Sequence, residues 1–316
     1  GNVPVRRILK DRGFKNIYVV PSQEKPDSNF ASIEYPNPED VKVFDCAMDL
    51  GKKVNADILL ATDPDADRVG VMVKDKDNEY VYLNGNQIST LLTNYILSQR
   101  EAYGTLPRNG VIIKSTVTTD LISSIASKYK IDTLNTLVGF KYISNKINEF
   151  KDTEEKEFLF GCEESIGYIY GSMVRDKDAV NATMLIVEMA GYYKKEGKSL
   201  IDVLDELYRE HGYYSEDLVS ITLEGIDGRD RIDKIMGEFK RNPIKKIGDL
   251  KLKDIFNSYN MIKFYFNDGS WFAVRPSGTE PKLKIYIHSK DKNKEKSLYK
   301  LNILKLEISR FINNLL

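Results

Sequence analysis

Short apolar runs alternate with amphipathic helical stretches through the first two thirds of the chain. The apolar runs at residues 58–61, 110–115 and 157–161 are separated by helical patterns, for example at 87–99 and 142–150. Such runs are typical of strands buried in a sheet, and helices that recur between strands pack onto its faces. The alternation therefore predicts the α/β class, with successive βαβ-type domains and mixed sheets.

The pattern changes after about residue 215. Four apolar runs predict strands, and two amphipathic stretches predict helices near 229–240 and 295–315; the strands are expected at 219–224, 261–266, 270–274 and 282–289. Strands without alternating helices indicate an α+β domain with a mainly antiparallel sheet. A chain of 316 residues exceeds the size at which one core usually splits into domains. We predict domains at 1–105, 106–214 and 215–316.

The first segment predicts a helix over 3–12, a strand over 17–20, a helix over 39–52 and a hairpin from 69–73 to 80–83. A helix such as the first one normally follows a strand. The chain is therefore expected to begin inside a βαβ unit.

Charge and cysteine content restrict the possible partners. Forty-seven basic and forty-seven acidic side chains cancel, so the global field that favours nucleic acids or anionic membranes is missing. No apolar run is long enough to span a bilayer. Cys46 and Cys162 stand far apart, which predicts buried thiols without a disulfide, in a reducing compartment. We expect a cytoplasmic protein with no nucleic acid or membrane partner; the oligomeric state is left open.

The segment 62–68, Thr-Asp-Pro-Asp-Ala-Asp-Arg, follows an apolar run and carries carboxylates at Asp63, Asp65 and Asp67. Three acids at alternate positions can converge on one hard cation, and Mg²⁺ prefers a few carboxylates together with phosphate or water. A solvated acidic turn is the alternative. An EF-hand calcium loop is excluded, because Arg68 and Lys74 stand where that loop needs Gly and Glu. Arg68 suits a phosphate contact or a structural salt bridge.

The segment 275–281, Arg-Pro-Ser-Gly-Thr-Glu-Pro, lies between two predicted strands. Backbone amides in a tight glycine turn, together with hydroxyls and a guanidinium, form the chemistry of a phosphate site. By itself such a segment is more often only a turn.

The segment 161–167, Gly-Cys-Glu-Glu-Ser-Ile-Gly, closes another predicted strand. Its vicinal carboxylates and serine suit sugar hydroxyls, or equally the cap of the next helix. Arg175 and Lys177 follow and fit either a sugar phosphate or an exposed charged surface.

Together these segments resemble the α-D-phosphohexomutase superfamily, in the phosphoglucomutase/phosphomannomutase branch. The resemblance covers essentially the whole chain in the family's order, as domains 2 to 4. It implies that Asp63, Asp65 and Asp67 bind Mg²⁺ and that Arg68 and Lys177 are catalytic. The implied substrate contacts are Gly139, Lys141, Glu163, Glu164, Ser165, Arg175, Lys177, Arg275, Ser277, Gly278 and Thr279.

The family interconverts hexose 1-phosphates and hexose 6-phosphates through a phosphoserine and a bisphosphorylated sugar, so glucose 1,6-bisphosphate is the expected activator or intermediate. The Glu-Glu-Ser form of the sugar segment is similar to glucose-directed members; mannose and pentose phosphates are the alternatives. Of Glu163 and Glu164, the second is favoured as the sugar contact. The family's Ser-His-Asn-Pro-type loop does not occur among the 316 residues. The chain is therefore expected to be a C-terminal fragment that is inactive alone, or a non-catalytic sugar-phosphate-binding fragment.

Overall fold

The computed structural model describes residues 1–225, 227–278 and 280–316. It divides into two compact units, Gly1–Glu206 and Leu207–Leu316. The predicted three-domain boundaries stay a prediction.

The elements of the first unit before residue 58 are helices. These helices are α1 (Asn2–Asp11), α2 (Pro21–Glu24), a 3₁₀ turn (Val41–Phe44) and α3 (Asp45–Val54). The predicted opening helix and the helix after residue 39 are confirmed. The predicted strand at 17–20 is wrong, because these residues have no strand assignment. An extended run becomes a strand only when a neighbouring strand satisfies its backbone N–H and C=O groups.

A three-stranded antiparallel meander follows. It consists of β1 (Ile58–Thr62), β2 (Val69–Lys74) and β3 (Tyr80–Leu83), which confirms the predicted hairpin. Phe44, Leu59 and Met72 form its buried core with their neighbours. Thr62 pairs with Val69, so the acidic segment between β1 and β2 is a hairpin loop.

The rest of the first unit is a layered α/β fold. Its elements are α4 (Gly85–Ala102), β4 (Gly110–Ser115), α5 (Leu121–Lys128), β5 (Asp132–Thr136), α6 (Phe140–Thr153), β6 (Glu157–Glu163), β7 (Gly167–Tyr170) and α7 (Ala179–Lys195). The sheet order is β5-β4-β6-β7. Strand β4 is parallel to β5 and β6, whereas β7 is antiparallel to β6. The predicted mixed sheet is confirmed, and its parallel strands bring their carboxyl ends to one edge.

Helix α8 (Leu200–His211) belongs to both units, because the first unit ends at Glu206 and the second begins at Leu207. The second unit continues from the last residues of this helix. Its remaining elements are β8 (Tyr213–Thr222), α9 (Gly228–Arg241), β9 (Lys246–Ile247), β10 (Leu250–Ser258), β11 (Met261–Phe266), β12 (Trp271–Pro276), β13 (Lys282–Asp291) and α10 (Lys294–Asn313). The sheet is antiparallel throughout, in the order β8-β13-β12-β11-β10-β9. One face packs Phe264, Phe272 and Ile285 into a core with α9 and α10 residues such as Phe239 and Leu304. This is the predicted α+β region.

The described part of the chain offers no candidate membrane span and no disulfide. None of its helices has the length and apolar character required to cross a bilayer. Both cysteines are free thiols, and Cys162 is buried as predicted. The same prediction was wrong for Cys46, which is only partly buried because it lies in α3, a helix on the surface of the small meander.

Candidate functional site

The first residue of the acidic loop, Asp63, determines the loop's shape. Its Oδ1 accepts hydrogen bonds from the backbone amides of Asp67 at 3.1 Å and Arg68 at 3.0 Å. Ala66 adopts a left-handed conformation with φ of 57°, which turns the chain back towards β2. Because Asp63 is only 2% exposed, these amides are satisfied inside the protein rather than by water.

The loop brings three carboxylates together. One oxygen from each of Asp63, Asp65 and Asp67 lies within 4.8 Å of the other two. Burial disfavours the charge on Asp63, but hydrogen bonds from Asp67 and Arg68 outweigh it and lower its pKa. Burial raises the pKa of Asp67, against the opposing effect of Lys177. An all-oxygen set of this spacing fits a hard divalent cation, which would relieve the crowding of like charges.

Arg68 contacts four side chains among the described residues, one of which is Asp67, whose Oδ1 lies 3.5 Å from the Arg68 Nε. Its Nε donates to Asp63 Oδ2 at 2.7 Å, and its Nη1 donates to Asn37 Oδ1 at 3.1 Å. Glu39 Oε2 lies 3.7 Å from the same Nη1. Burial opposes the charge, but these carboxylates outweigh it and raise the pKa of Arg68. Asn37 and Glu39 were not predicted as site residues, because they lie in a Pro-rich connection without a local signal of this contact.

The turn between β6 and β7 lies against the acidic loop. The amide of Val69 donates to the carbonyl of Ile166 at 3.2 Å, and Arg68 forms a β-bridge with Gly167. On the other side, a Cβ on Gly85 would lie 1.9 Å from the Glu164 carbonyl oxygen. Only glycine fits so close an approach of two backbones. The predicted metal and sugar segments are therefore neighbours.

Both vicinal glutamates of this turn contact donors of the protein. Glu163 is 6% exposed, and its Oε1 accepts from the Gly139 amide at 2.8 Å. Gly139 is the N-cap of α6, so the Glu163 carboxylate binds the turn before that helix. Glu164 is partly exposed, and its Oε2 accepts from Ser115 Oγ at 2.9 Å. Ser165 is partly exposed in the same turn. The segment leads into strand β7, so neither glutamate caps a following helix.

Lys177 lies beside the acidic loop. Its Nζ is 2.6 Å from Asp67 Oδ2, and its side chain lies over Gly167, where a Cβ would approach Lys177 Cδ to 2.3 Å. The amide of Ala179 donates to the Ala66 carbonyl at 3.1 Å. The start of α7 and the acidic loop are thus held together by a backbone bond and an ion pair.

The other two predicted cationic contacts of this unit differ in environment. Arg175 donates from Nη1 to the Val174 carbonyl at 2.9 Å and from Nε to Asn148 Oδ1, so these donors hold its own loop. Lys141 is exposed, with Nζ 5.1 Å from the centre of the Tyr142 ring.

The predicted phosphate loop belongs to the second unit. Arg275 pairs with Lys284 near the end of β12, and the Ser277 amide donates to the Lys282 carbonyl at 2.7 Å. Arg275 Nε is buried without a hydrogen-bond partner among the described residues. A Cβ on Gly278 would meet no atom of the described residues within 4 Å, so none of them fills the space beside this glycine. Thr279, also predicted as a contact, lies outside the described residues.

Family models match most of the chain. The phosphoglucomutase/phosphomannomutase alpha/beta/alpha domain II model matches residues 1–76, the domain III model matches 84–211, and the C-terminal domain model matches 231–301.

Individual relatives agree with these models. A phosphoglucomutase of Staphylococcus aureus strain MSSA476 is 37% identical over 320 residues, covering 95% of this chain and 57% of the relative. One from strain USA300 is 38% identical with the same coverage. The chain thus spans little more than half the length of these curated relatives.

Solved structures share the fold. A putative phosphomannomutase from Thermus thermophilus has a TM-score of 0.64 at 20% identity, with 96% of this chain and 57% of that chain covered. The Paramecium phosphoglucomutase parafusin has a TM-score of 0.65 at 18% identity, with 92% and 52% covered.

Proposed function

Because this chain belongs to the phosphoglucomutase/phosphomannomutase family, we propose that it supplies the metal, sugar and phosphate contacts of a hexose phosphate mutase. The reaction interconverts hexose 1-phosphate and hexose 6-phosphate. This proposal rests on contacts among three segments of the first unit: the acidic loop, the β6–β7 turn and the segment before α7 that carries Lys177. The Val69 amide binds the Ile166 carbonyl at 3.2 Å, and Lys177 Nζ lies 2.6 Å from Asp67 Oδ2.

The acidic loop is the proposed metal site, with Mg²⁺ held by Asp63, Asp65 and Asp67. When bound, Mg²⁺ neutralises charge on the oxygens of the transferred phosphoryl group. Arg68 and Lys177 are the proposed catalytic cations beside it. The guanidinium of Arg68 is oriented by Asp63 at 2.7 Å, which prepares it for a phosphate before the substrate arrives.

The β6–β7 turn is the proposed sugar site. Glu164 is partly exposed whereas Glu163 is 6% exposed, which supports Glu164, with Ser165, as the contact to sugar hydroxyls. Glu163 then acts by holding the turn at Gly139, which with Lys141 would contribute to the same substrate site. The Glu-Glu-Ser form favours glucose 1-phosphate and glucose 6-phosphate as the substrate pair.

The remaining proposed contacts would bind the phosphate groups of the substrate or support the loop beside them. Arg275 offers a buried Nε without a protein partner among the described residues, and a guanidinium binds phosphate oxygens in a bidentate manner. The backbone and hydroxyls of Ser277, Gly278 and Thr279 would complete this site in the second unit. Arg175 would contribute to substrate binding chiefly by holding the loop that carries Lys177.

Transfer also requires a group that carries the phosphoryl between the two sugar positions. In the family this is a phosphoserine in a Ser-His-Asn-Pro-type loop, which the 316 residues do not contain. We therefore propose that these residues bind sugar phosphate but do not turn it over alone, because positioning groups cannot replace the carrier. Glucose 1,6-bisphosphate would be the activator and intermediate when the serine is supplied.

The test measures isomerisation of glucose 1-phosphate, with Mg²⁺ and glucose 1,6-bisphosphate, by a protein that joins these residues to the serine-bearing segment. Asp65→Asn is compared with Asp77→Asn, a matched exposed aspartate in the β2–β3 turn. We expect Asp65→Asn to lower kcat by about a hundredfold and Asp77→Asn to leave it unchanged. Calorimetric titration of the 316-residue chain with Mg²⁺ measures metal binding separately.

Several outcomes would contradict parts of the proposal. Equal activity of Asp65→Asn and Asp77→Asn would show that the acidic loop is not the metal site. Turnover of mannose or pentose phosphates in place of glucose phosphates would change the substrate. Turnover of glucose 1-phosphate by the 316 residues alone would refute the need for an added serine, and no turnover of any sugar phosphate by the joined protein would refute the mutase itself.

A further inference from the structure

Three buried polar side chains lie next to the β6–β7 turn and are not among the proposed metal, sugar and phosphate contacts. Lys114, Ser115 and Thr118 are each 0% exposed. They belong to the carboxyl end of β4 and the loop that follows it. Burying a polar group is costly unless it is hydrogen-bonded, so the partners of these side chains indicate what the cluster does.

The two hydroxyls form a chain that ends on Glu164. Ser115 Oγ lies 2.9 Å from Glu164 Oε2 and 2.9 Å from Thr118 Oγ1, whereas Thr118 Oγ1 is 3.4 Å from the carboxylate. Each hydroxyl has one proton to donate. The shortest arrangement therefore has Thr118 donating to Ser115 and Ser115 donating to Glu164. Successive donors of this kind polarise one another and strengthen the last bond.

Lys114 fixes the base of this chain. Its Nζ donates to the Thr118 carbonyl at 2.9 Å and to Asp120 Oδ1 at 3.0 Å. These bonds hold the backbone of the loop that carries the Thr118 hydroxyl. On the opposite side, Gly85 packs against the Glu164 carbonyl so closely that a Cβ would lie 1.9 Å from it. Both the backbone and the carboxylate of Glu164 are therefore restrained.

We infer that Ser115, supported by Thr118, is a positioning residue for sugar recognition. By holding one oxygen of the Glu164 carboxylate, it sets the direction in which the other oxygen points. This inference rests on the proposed function, in which Glu164 accepts a hydrogen bond from a sugar hydroxyl. A site built to bond one hydroxyl discriminates strongly only when its acceptor is held in place.

A positioning role differs from a merely structural one in its dependence on the substrate. If Ser115 only stabilised the fold, its loss would affect all sugar phosphates alike. If it orients Glu164 towards one hydroxyl, its loss has little effect on a substrate that lacks that hydroxyl. Deoxy sugar phosphates therefore separate the two roles.

The experiment uses the joined, serine-bearing protein and the hexose 1-phosphate that it turns over, together with the 2-, 3- and 4-deoxy analogues. The variants are Ser115→Ala and Thr118→Val, with Thr118→Ser as the conservative variant and Ser127→Ala, an exposed serine of α5, as the control. We expect Ser115→Ala to lower kcat/KM about tenfold on the parent sugar, mainly through KM. Thr118→Val should have a smaller effect with the same pattern, and Thr118→Ser and Ser127→Ala almost none.

The decisive result is the pattern over the analogues. We expect the loss of kcat/KM caused by Ser115→Ala to fall to about twofold or less for one deoxy analogue and to stay about tenfold for the others. An equal penalty on every analogue, or none on the parent sugar, overturns the inference while leaving the mutase intact. If the unsubstituted protein turns over no sugar phosphate, the proposed function fails first. Thermal melting checks folding, and Thr118→Val provides the same test if Ser115→Ala does not fold.

Discussion

Replacing Asp63 by asparagine separates the structural role of this residue from metal binding. An asparagine Oδ1 can still accept from the amides of Asp67 and Arg68, but its Nδ2 would face Arg68 Nε, where Asp63 Oδ2 now accepts at 2.7 Å. Two donors would then oppose each other at a side chain that is 2% exposed. A hydrogen bond to a charged group contributes roughly 1.5–3 kcal/mol, and Arg68 keeps partial solvent access. We expect Asp63→Asn to lower the free energy of unfolding by about 2 kcal/mol.

Urea unfolding of the 316-residue chain in the presence of a chelator measures this loss without a metal contribution. Far-UV circular dichroism follows both units, while fluorescence of Trp271, the one tryptophan of the chain, follows the second. The transition seen by circular dichroism alone then belongs to the first unit. The control is Asp65→Asn at an exposed position of the same loop, where we expect a change within about 0.5 kcal/mol.

The pH dependence adds a second criterion. Burial disfavours the Asp63 carboxylate, but hydrogen bonds from Asp67 and Arg68 prevail and hold its pKa below the ordinary value of 3.8. Its contribution to stability is therefore complete above pH 3.8 and is lost as the pH falls through the lower folded-state pKa. The gap between the unsubstituted chain and Asp63→Asn should shrink on acidification. Equal stability of Asp63→Asn and Asp65→Asn at neutral pH, or a gap that widens in acid, would refute this reasoning.

Two further pairs of positions give contrasting predictions, one for stability and one for thiol reactivity. Gly85→Ala places a methyl group 1.9 Å from the Glu164 carbonyl oxygen and should destabilise the chain by about 2 kcal/mol. Gly191→Ala lies in helix α7, where the nearest atom to the new methyl group is 3.9 Å away, and should stabilise the chain by up to about 1 kcal/mol. Melting temperatures that shift in the same direction for both variants would contradict this. Burial raises the pKa of the Cys162 thiol to about 12, so a disulfide reagent at mildly alkaline pH should modify partly buried Cys46 in the native chain and Cys162 only after unfolding. Modification of native Cys162 before Cys46 would show that the core opens there.

Local patterns in the sequence were sufficient for most elements and for the position of the site segments. The pattern of the apolar residues predicted the β2–β3 hairpin, a mixed sheet built from βαβ-type units and a mainly antiparallel sheet after residue 215. Strand β10 (Leu250–Ser258) was missed although Leu250 and Leu252 alternate with lysines, which is a strand signal. Strand β7 was missed because four residues between two turns carry little periodicity.

Only the tertiary structure determined which side chains meet. Ser115 binds Glu164 across 49 positions, and Arg68 binds Asn37 across 31. No local period encodes such pairs, because they form when different loops reach the same edge of the fold. Sequence determined that carboxylates, hydroxyls and cations occur in loops after strands. Packing determined their partners, since a buried polar group is stable only where the fold supplies its hydrogen bond.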